Sequence, residues 1–243
     1  MAPRKRIVGA VRFLLVCSAS AFVFLAQPSV AVAQTTLESC LATAAPARAA
    51  ITALRDFRFS NADVIDRDDV QEGIDSAIQS LADNVLSSPG TPSRLDALCN
   101  RIAAAVDSPE RFTTDDDCAN PDSFMCEGET LFENYQDAVE ALAEDAVPKV
   151  QSATKIAELR TIVSQVYRAV RSLVELVITE AETSTSVTSG GSSDSPAIVD
   201  ALQNQQTAEG QAASCLGATS RACGDAVASF LDAWLNAIIE IIE

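Results

Sequence analysis

The side chains of this chain best suited to holding a metal ion are aspartates. Asp63, Asp66, Asp68 and Asp69 form one cluster, and Asp115, Asp116, Asp117 and Asp122 form a second. Carboxylates are the hard oxygen ligands that calcium prefers, but neither cluster keeps the EF-hand order with its central glycine and closing bidentate glutamate. Charge at a helix N-terminus accounts for the first cluster, and a solvated loop for the second. Asp115, Asp117 and Asp122 stay as the calcium candidates, because a short disulfide would hold their loop rigid. No cofactor is expected.

Catalytic chemistry has little to work with. The chain contains no histidine, which removes Ser-His-Asp and Cys-His arrangements, imidazole metal sites and the side chain best suited to proton transfer near neutrality. Beyond residue 33 the only lysines are Lys149 and Lys155. No phosphate-cradling glycine loop, dinucleotide fingerprint or haem-attachment pattern is present. A carboxylate-based hydrolase needs two acids with separated pKa values facing one cleft. Acids spread over helix surfaces do not single out such a pair, so no catalytic residue is named and the chain is expected not to be an enzyme.

Cysteine is the other reactive type. Arg4-Lys5-Arg6, the apolar run from Phe13 to Ala26 and the small-x-small sequence Ala31-Val32-Ala33 read as a cleavable signal peptide, with cleavage between Ala33 and Gln34. An uncleaved anchor and acylation at Cys17 are the competing readings. Against acylation, Val16 stands where a small residue is wanted and the apolar run continues past Cys17. Losing Cys17 with the leader leaves Cys40, Cys99, Cys118, Cys126, Cys215 and Cys223, an even set suited to an oxidising compartment. Cys118 and Cys126 enclose seven residues, as do Cys215 and Cys223. Short loops cost the least chain entropy to close, so the expected pairs are Cys118–Cys126, Cys215–Cys223 and Cys40–Cys99. The alternative links the two short loops to each other. A tetrathiolate zinc site has the wrong spacing and the wrong compartment.

These groups must be carried by helices. From Ile156 to Val177 apolar residues recur at Ile156, Leu159, Val163, Val166, Val170, Leu173 and Val177, with Ile162, Tyr167, Val174 and Leu176 widening the stripe. So wide a stripe suits a central helix with several neighbours. Before it, Thr36 is placed to cap a helix that Pro46 restarts or kinks. Val70 to Val85 and Leu95 to Val106 repeat the helical period, the latter opened by a Ser93/Asp96 capping pair. Asp107 to Glu129 lacks periodicity. Leu131 to Leu142 resumes it, and Pro148 either kinks one long helix, the preferred reading, or serves as an early residue of the next one; the helix is expected to end near Glu182. Pro196 to Ala208 is a Gln-rich helix, and Asp225 is placed to cap a last helix carrying Phe230, Trp234 and Ile238. That last stripe faces either a core or a partner. Each short cysteine loop precedes a glycine, an acid and an amphipathic helix, which hints at a repeat without matching side chains.

The expected architecture is all-α: a disulfide-braced helical bundle of about five to six helices around a long, Pro-kinked central helix. The expected division is a signal peptide over 1–33, the main bundle over 34–182, a Ser/Thr/Gly-rich linker over 183–195 and a C-terminal helical segment over 196–243. Formal charge is −17 over 243 residues. The leader carries Arg4, Lys5, Arg6 and Arg12 with no acid, so its removal takes the charge to −21. Nucleic acid and anionic membranes are disfavoured partners. The reading that follows is a secreted or periplasmic protein-interaction or structural module. Its competitors are a carrier enclosing a small apolar ligand and, further behind, the carboxylate hydrolase.

Overall fold

In the computed structural model of the chain, residues 28–61, 68–113, 123–188, 195–217 and 223–243 are described. They form eight α-helices and no strand: α1 (Pro28–Ala42), α2 (Ala44–Ser60), α3 (Asp68–Val85), α4 (Arg94–Asp107), α5 (Met125–Glu140), α6 (Ala153–Thr188), α7 (Pro196–Gly217) and α8 (Cys223–Ile242). The fold is all-α and disulfide-braced. Asp115, Asp117, Asp122 and Cys118 lie outside the described residues, as do 62–67 of the first acidic cluster and 189–194 of the expected linker.

Where the chain turns, the cause is local. Thr43 separates α1 from α2, its hydroxyl and its N–H both donating to Cys40 O at 2.7 and 3.0 Å. Pro46 then falls in the first turn of α2, where its missing N–H leaves no bond unmade. Ser88-Pro89-Gly90-Thr91 closes a tight turn with Ser88 and Thr91 exchanging backbone bonds, and Gly90 supplies the positive φ of 83° that only glycine adopts freely. Ser93 opens α4 with a capping box. Its hydroxyl accepts from Asp96 N at 3.1 Å while Asp96 Oδ2 accepts from Ser93 N at 3.3 Å.

Three expected helix limits are corrected. Thr36 lies inside α1 (Pro28–Ala42), not at its N-terminus. Pro148 does not kink a continuous helix. A π-helical turn (Ala141–Ala146) and a 3-10 turn (Val147–Lys149) end α5, and Val150 then adopts an extended conformation, φ −80°, ψ 127°. Proline removes a backbone donor just where the ladder has widened, so the chain breaks and restarts with Ser152 O accepting from Ile156 N at 2.9 Å. These breaks raise the helix count above five to six. Finally, α6 runs past Glu182 to Thr188. Thr179 and Thr183 donate to the carbonyls of Glu175 and Thr179 at 2.8 Å, which lets them sit within the helix.

At 36 residues α6 is about 54 Å long, and it organises one core. Leu159, Val163, Val166, Val170, Leu173 and Val177 are all buried, with Ile162, Tyr167 and Val174 beside them. The stripe meets α2 on one side and α7 and α8 on another, while α3 packs on α2 and α5, and α1 on α4. Each fully buried Leu, Ile, Val or Phe contributes roughly 1.5–3 kcal/mol. Residues of α7 and α8 belong to the same buried cluster as those of α2 to α6, so the C-terminal helices dock on the rest. Cys40–Cys99 fastens α1 to α4 with Cα atoms 5.5 Å apart, and Cys215–Cys223 ties α7 to α8 at 5.2 Å. Cys126 is also disulfide-bonded.

Candidate functional site

The helices leave two places worth testing for chemistry: the start of α8, where acids converge, and the outer face of α7, where they are scarce. At the first, Cys223 N donates to Glu144 Oε1 at 3.0 Å, so the cap of α8 comes from the π-helical turn and not from Asp225, which lies in the first turn of α8. Glu140, one turn earlier, accepts from Gln136 Nε2 at 2.8 Å and lies over Gly224, where a side-chain carbon would overlap its carboxylate. Tyr167 on α6 donates to Cys223 O at 2.8 Å. Burial pushes that hydroxyl up, and the nearby Glu144 carboxylate pushes it the same way, so it stays protonated as a donor. Glu144 thus holds the positive end of a helix at its disulfide cysteine, while Glu140 lies against the same turn. That is a structural use of two acids.

A reciprocal contact lies at the other end of the same helix pair. Gly128 near the start of α5 sits beneath the Trp234 ring, with no room for a side chain. Gly224 near the start of α8 sits beneath Glu140 at the end of α5, so the two helices run antiparallel, each with a glycine under a large side chain of the other. Trp234 packs edge-on against Phe124 with centroids 6.3 Å apart and tilted against Phe132 at 5.8 Å. It is fully buried, so the stripe on α8 faces the core.

Among the surface clefts of the described residues, two lie between elements and hold charges of both signs. One of about 310 Å³ between α3 and the π-helical turn is lined by Asp69, Glu72, Gly73, Ser76, Asp145 and Lys149. Lys149 Nζ stands 3.9 Å from Asp69 Oδ2 and answers part of the acid. The other, of about 560 Å³, lies at the α3–α4 turn beside Asp83, Leu86, Ser88, Arg94 and Glu127. Neither has the aliphatic lining that a carrier of an apolar ligand requires. Among the described residues no three His, Cys, Asp or Glu side chains are grouped to hold a metal ion, and no helix is long and apolar enough to cross a membrane.

α7 is poor in charge for so acidic a chain. Its 22 residues include two charges, Asp200 and Glu209. Glu209 is paired with Arg171 of α6 at 3.2 Å, and Arg171 also binds Glu175 at 2.7 Å. Ile198, Ala201, Ala208, Ala212 and Cys215 face the core. On the opposite side Val199, Gln203, Gln206, Gly210 and Ala213 recur at heptad spacing and are all exposed, with Leu202 beside them. Val199 is 52% exposed and Leu202 45%. A side chain added at Gly210 would meet nothing. Of the apolar residues in the first two turns, Ile198 is buried, whereas Val199 and Leu202 face outward. The sequence reading did not single out this face; the low charge of α7 is the signal that could have found it. No protein-family model, curated protein sequence or solved structure matches the chain.

Proposed function

We propose that the protein is an exported, non-enzymatic helical module that works by binding another polypeptide through the outer face of α7. The observation that carries the reading is the exposed, nearly charge-free row from Val199 to Ala213 on a chain of net charge −17. Approach of another chain over acid-rich helices such as α3 and α5 must overcome their carboxylates. At α7 it must desolvate only two aliphatic side chains, amides and small residues, which costs little. The partner is expected to present an apolar, weakly charged helix or strand surface. Export is supported by the leader pattern and by the disulfides. The Ala33–Gln34 bond lies within α1, so cleavage precedes the folding of that turn.

Native mass spectrometry of the exported fraction tests this, comparing the wild type with the V199E/L202E double variant. A stoichiometric protein complex that the variant loses, while its helical circular dichroism is retained, is the expected result. A wild type that is a bare monomer like the variant removes the reading, and a lipid-sized adduct released on denaturation replaces it with the carrier.

A further inference from the structure

We infer that Gln34 is a modification site: once exposed as the first residue, it closes on itself to a pyroglutamyl lactam. The inference rests on cleavage after Ala33. In α1, Gln34 is exposed, and its Nε2 has one weak partner, Glu38 Oε1 at 3.3 Å. Two residues further on the helix is fixed. Thr36 is 1% exposed and donates to Glu180 Oε1 of α6 at 2.9 Å, and Cys40 is bonded to Cys99 of α4. Removal of residues 28–33 strips away the turn to which the Gln34 backbone belongs, including Val32 O, the other acceptor of the Thr36 hydroxyl at 3.1 Å. What remains, on one solvent-exposed residue ahead of an anchored helix, is a free α-amine and a carboxamide whose one partner is Glu38 at 3.3 Å.

The step needs no co-reactant. The lone pair of the α-amino nitrogen attacks Cδ of the same side chain, an N–Cδ bond forms, and the Cδ–Nε2 bond breaks. The amine gives up a proton to the departing nitrogen, which leaves as ammonia. Ring closure uses only torsions of Gln34 itself, so Thr35 onward need not move. The gain is electrostatic: an ammonium at residue 34 would sit at the positive end of the α1 dipole, and the lactam is uncharged.

The intact mass of the exported protein, with its disulfides unreduced and after incubation at neutral pH, decides the matter. The wild type is expected to be lighter by one ammonia than the chain running from Gln34 to Glu243, and to resist stepwise N-terminal degradation. The Gln34→Ala variant is expected to keep its full mass and a reactive amine. A wild type that begins at Gln34 with full mass and a reactive amine overturns the cyclisation and leaves cleavage standing. A mass that begins elsewhere overturns the cleavage itself, and the cyclisation with it.

Discussion

Gly128 and Gly210 are both helical glycines, and they are there for opposite reasons. At Gly128 the Trp234 ring of α8 occupies the space of a side chain, whereas at Gly210 on α7 that space is open solvent. The α5–α8 seam is therefore a finished contact, in which small residues were spent on bringing two helices together. The outer face of α7 has the same kind of residue with nothing against it. A glycine inside a helix costs about 1 kcal/mol relative to alanine, so the second case is a cost without a return inside this chain.

Severing the Cys215–Cys223 link, which joins α7 to α8, should have the largest effect of the changes considered. The C215S/C223S double variant frees a short loop, and chain entropy puts the loss at about 2.5 kcal/mol. Urea unfolding followed by circular dichroism reads it as a lower midpoint. If α7 is held mainly by this bond, the exchange of its backbone amides should rise more than that of α8, which is also packed on α5 and α6.

Gly128→Ala attacks the seam directly. The added methyl must displace the Trp234 ring, which is packed on Phe124 and Phe132, and overpacking of this kind costs about 2 kcal/mol. Chemical denaturation of the single variants and of the G128A/W234A pair forms a cycle. Once the ring is gone the alanine should be nearly free, so a non-additive pair is expected, and additivity would mean that the contact is not the reason for the glycine.

The difference between these helices also marks how far sequence reasoning reached. The α6 stripe was legible because period and burial coincide: six of its seven named apolar positions are buried, and Ile156 is packed against the core. The Ser93 capping box was legible because both partners lie within four residues. The cap of α8 was not, since Glu144 is 79 positions from Cys223 and no local pattern announces it. Asp225 looked like the cap because a short-range rule was applied to a helix whose end is held by tertiary contact. The break after Pro148 was missed for a related reason. Proline announces an interruption, but whether the helix bends or stops depends on the π-helical turn upstream, packed so that Ala141 O would stand 2.8 Å from any carbon added at Gly73 of α3. The exposed row on α7 was half-legible: low charge is written in the sequence, but its rotation about the helix axis is set by which alanines pack on α8.

A smaller effect, remote from both faces, gives a scale for the others. Burial works against the charge on Asp96, but hydrogen bonds from Ser87 and Ser93 outweigh it and hold the carboxyl below its ordinary value. A depressed folded-state pKa stabilises the fold above the unfolded value and loses that stabilisation as pH falls through the folded one. Wild type should therefore lose more stability than Asp96→Asn between neutrality and about pH 3, below the ordinary aspartate value. At pH 7 Ser93→Ala should cost about 1 kcal/mol, read from the same urea midpoints.

Gly210→Ala is the smallest change and the one that separates the two glycines most sharply. Gly210 has no positive φ, so alanine fits its backbone, and nothing stands within reach of the new methyl. The variant should be more stable than the wild type by about 0.5–1 kcal/mol, through a less flexible unfolded chain and better helix propensity. Thermal and urea midpoints should both rise. The same methyl stands on the row that includes Val199 and Ala213, so if a partner helix approaches closely there, the complex should weaken while the free protein gains. A variant that is stabler alone and poorer at binding would show that the glycine is kept for contact with another chain. One that is stabler and binds equally well would move the contact towards Val199 and Leu202, at the other end of the helix.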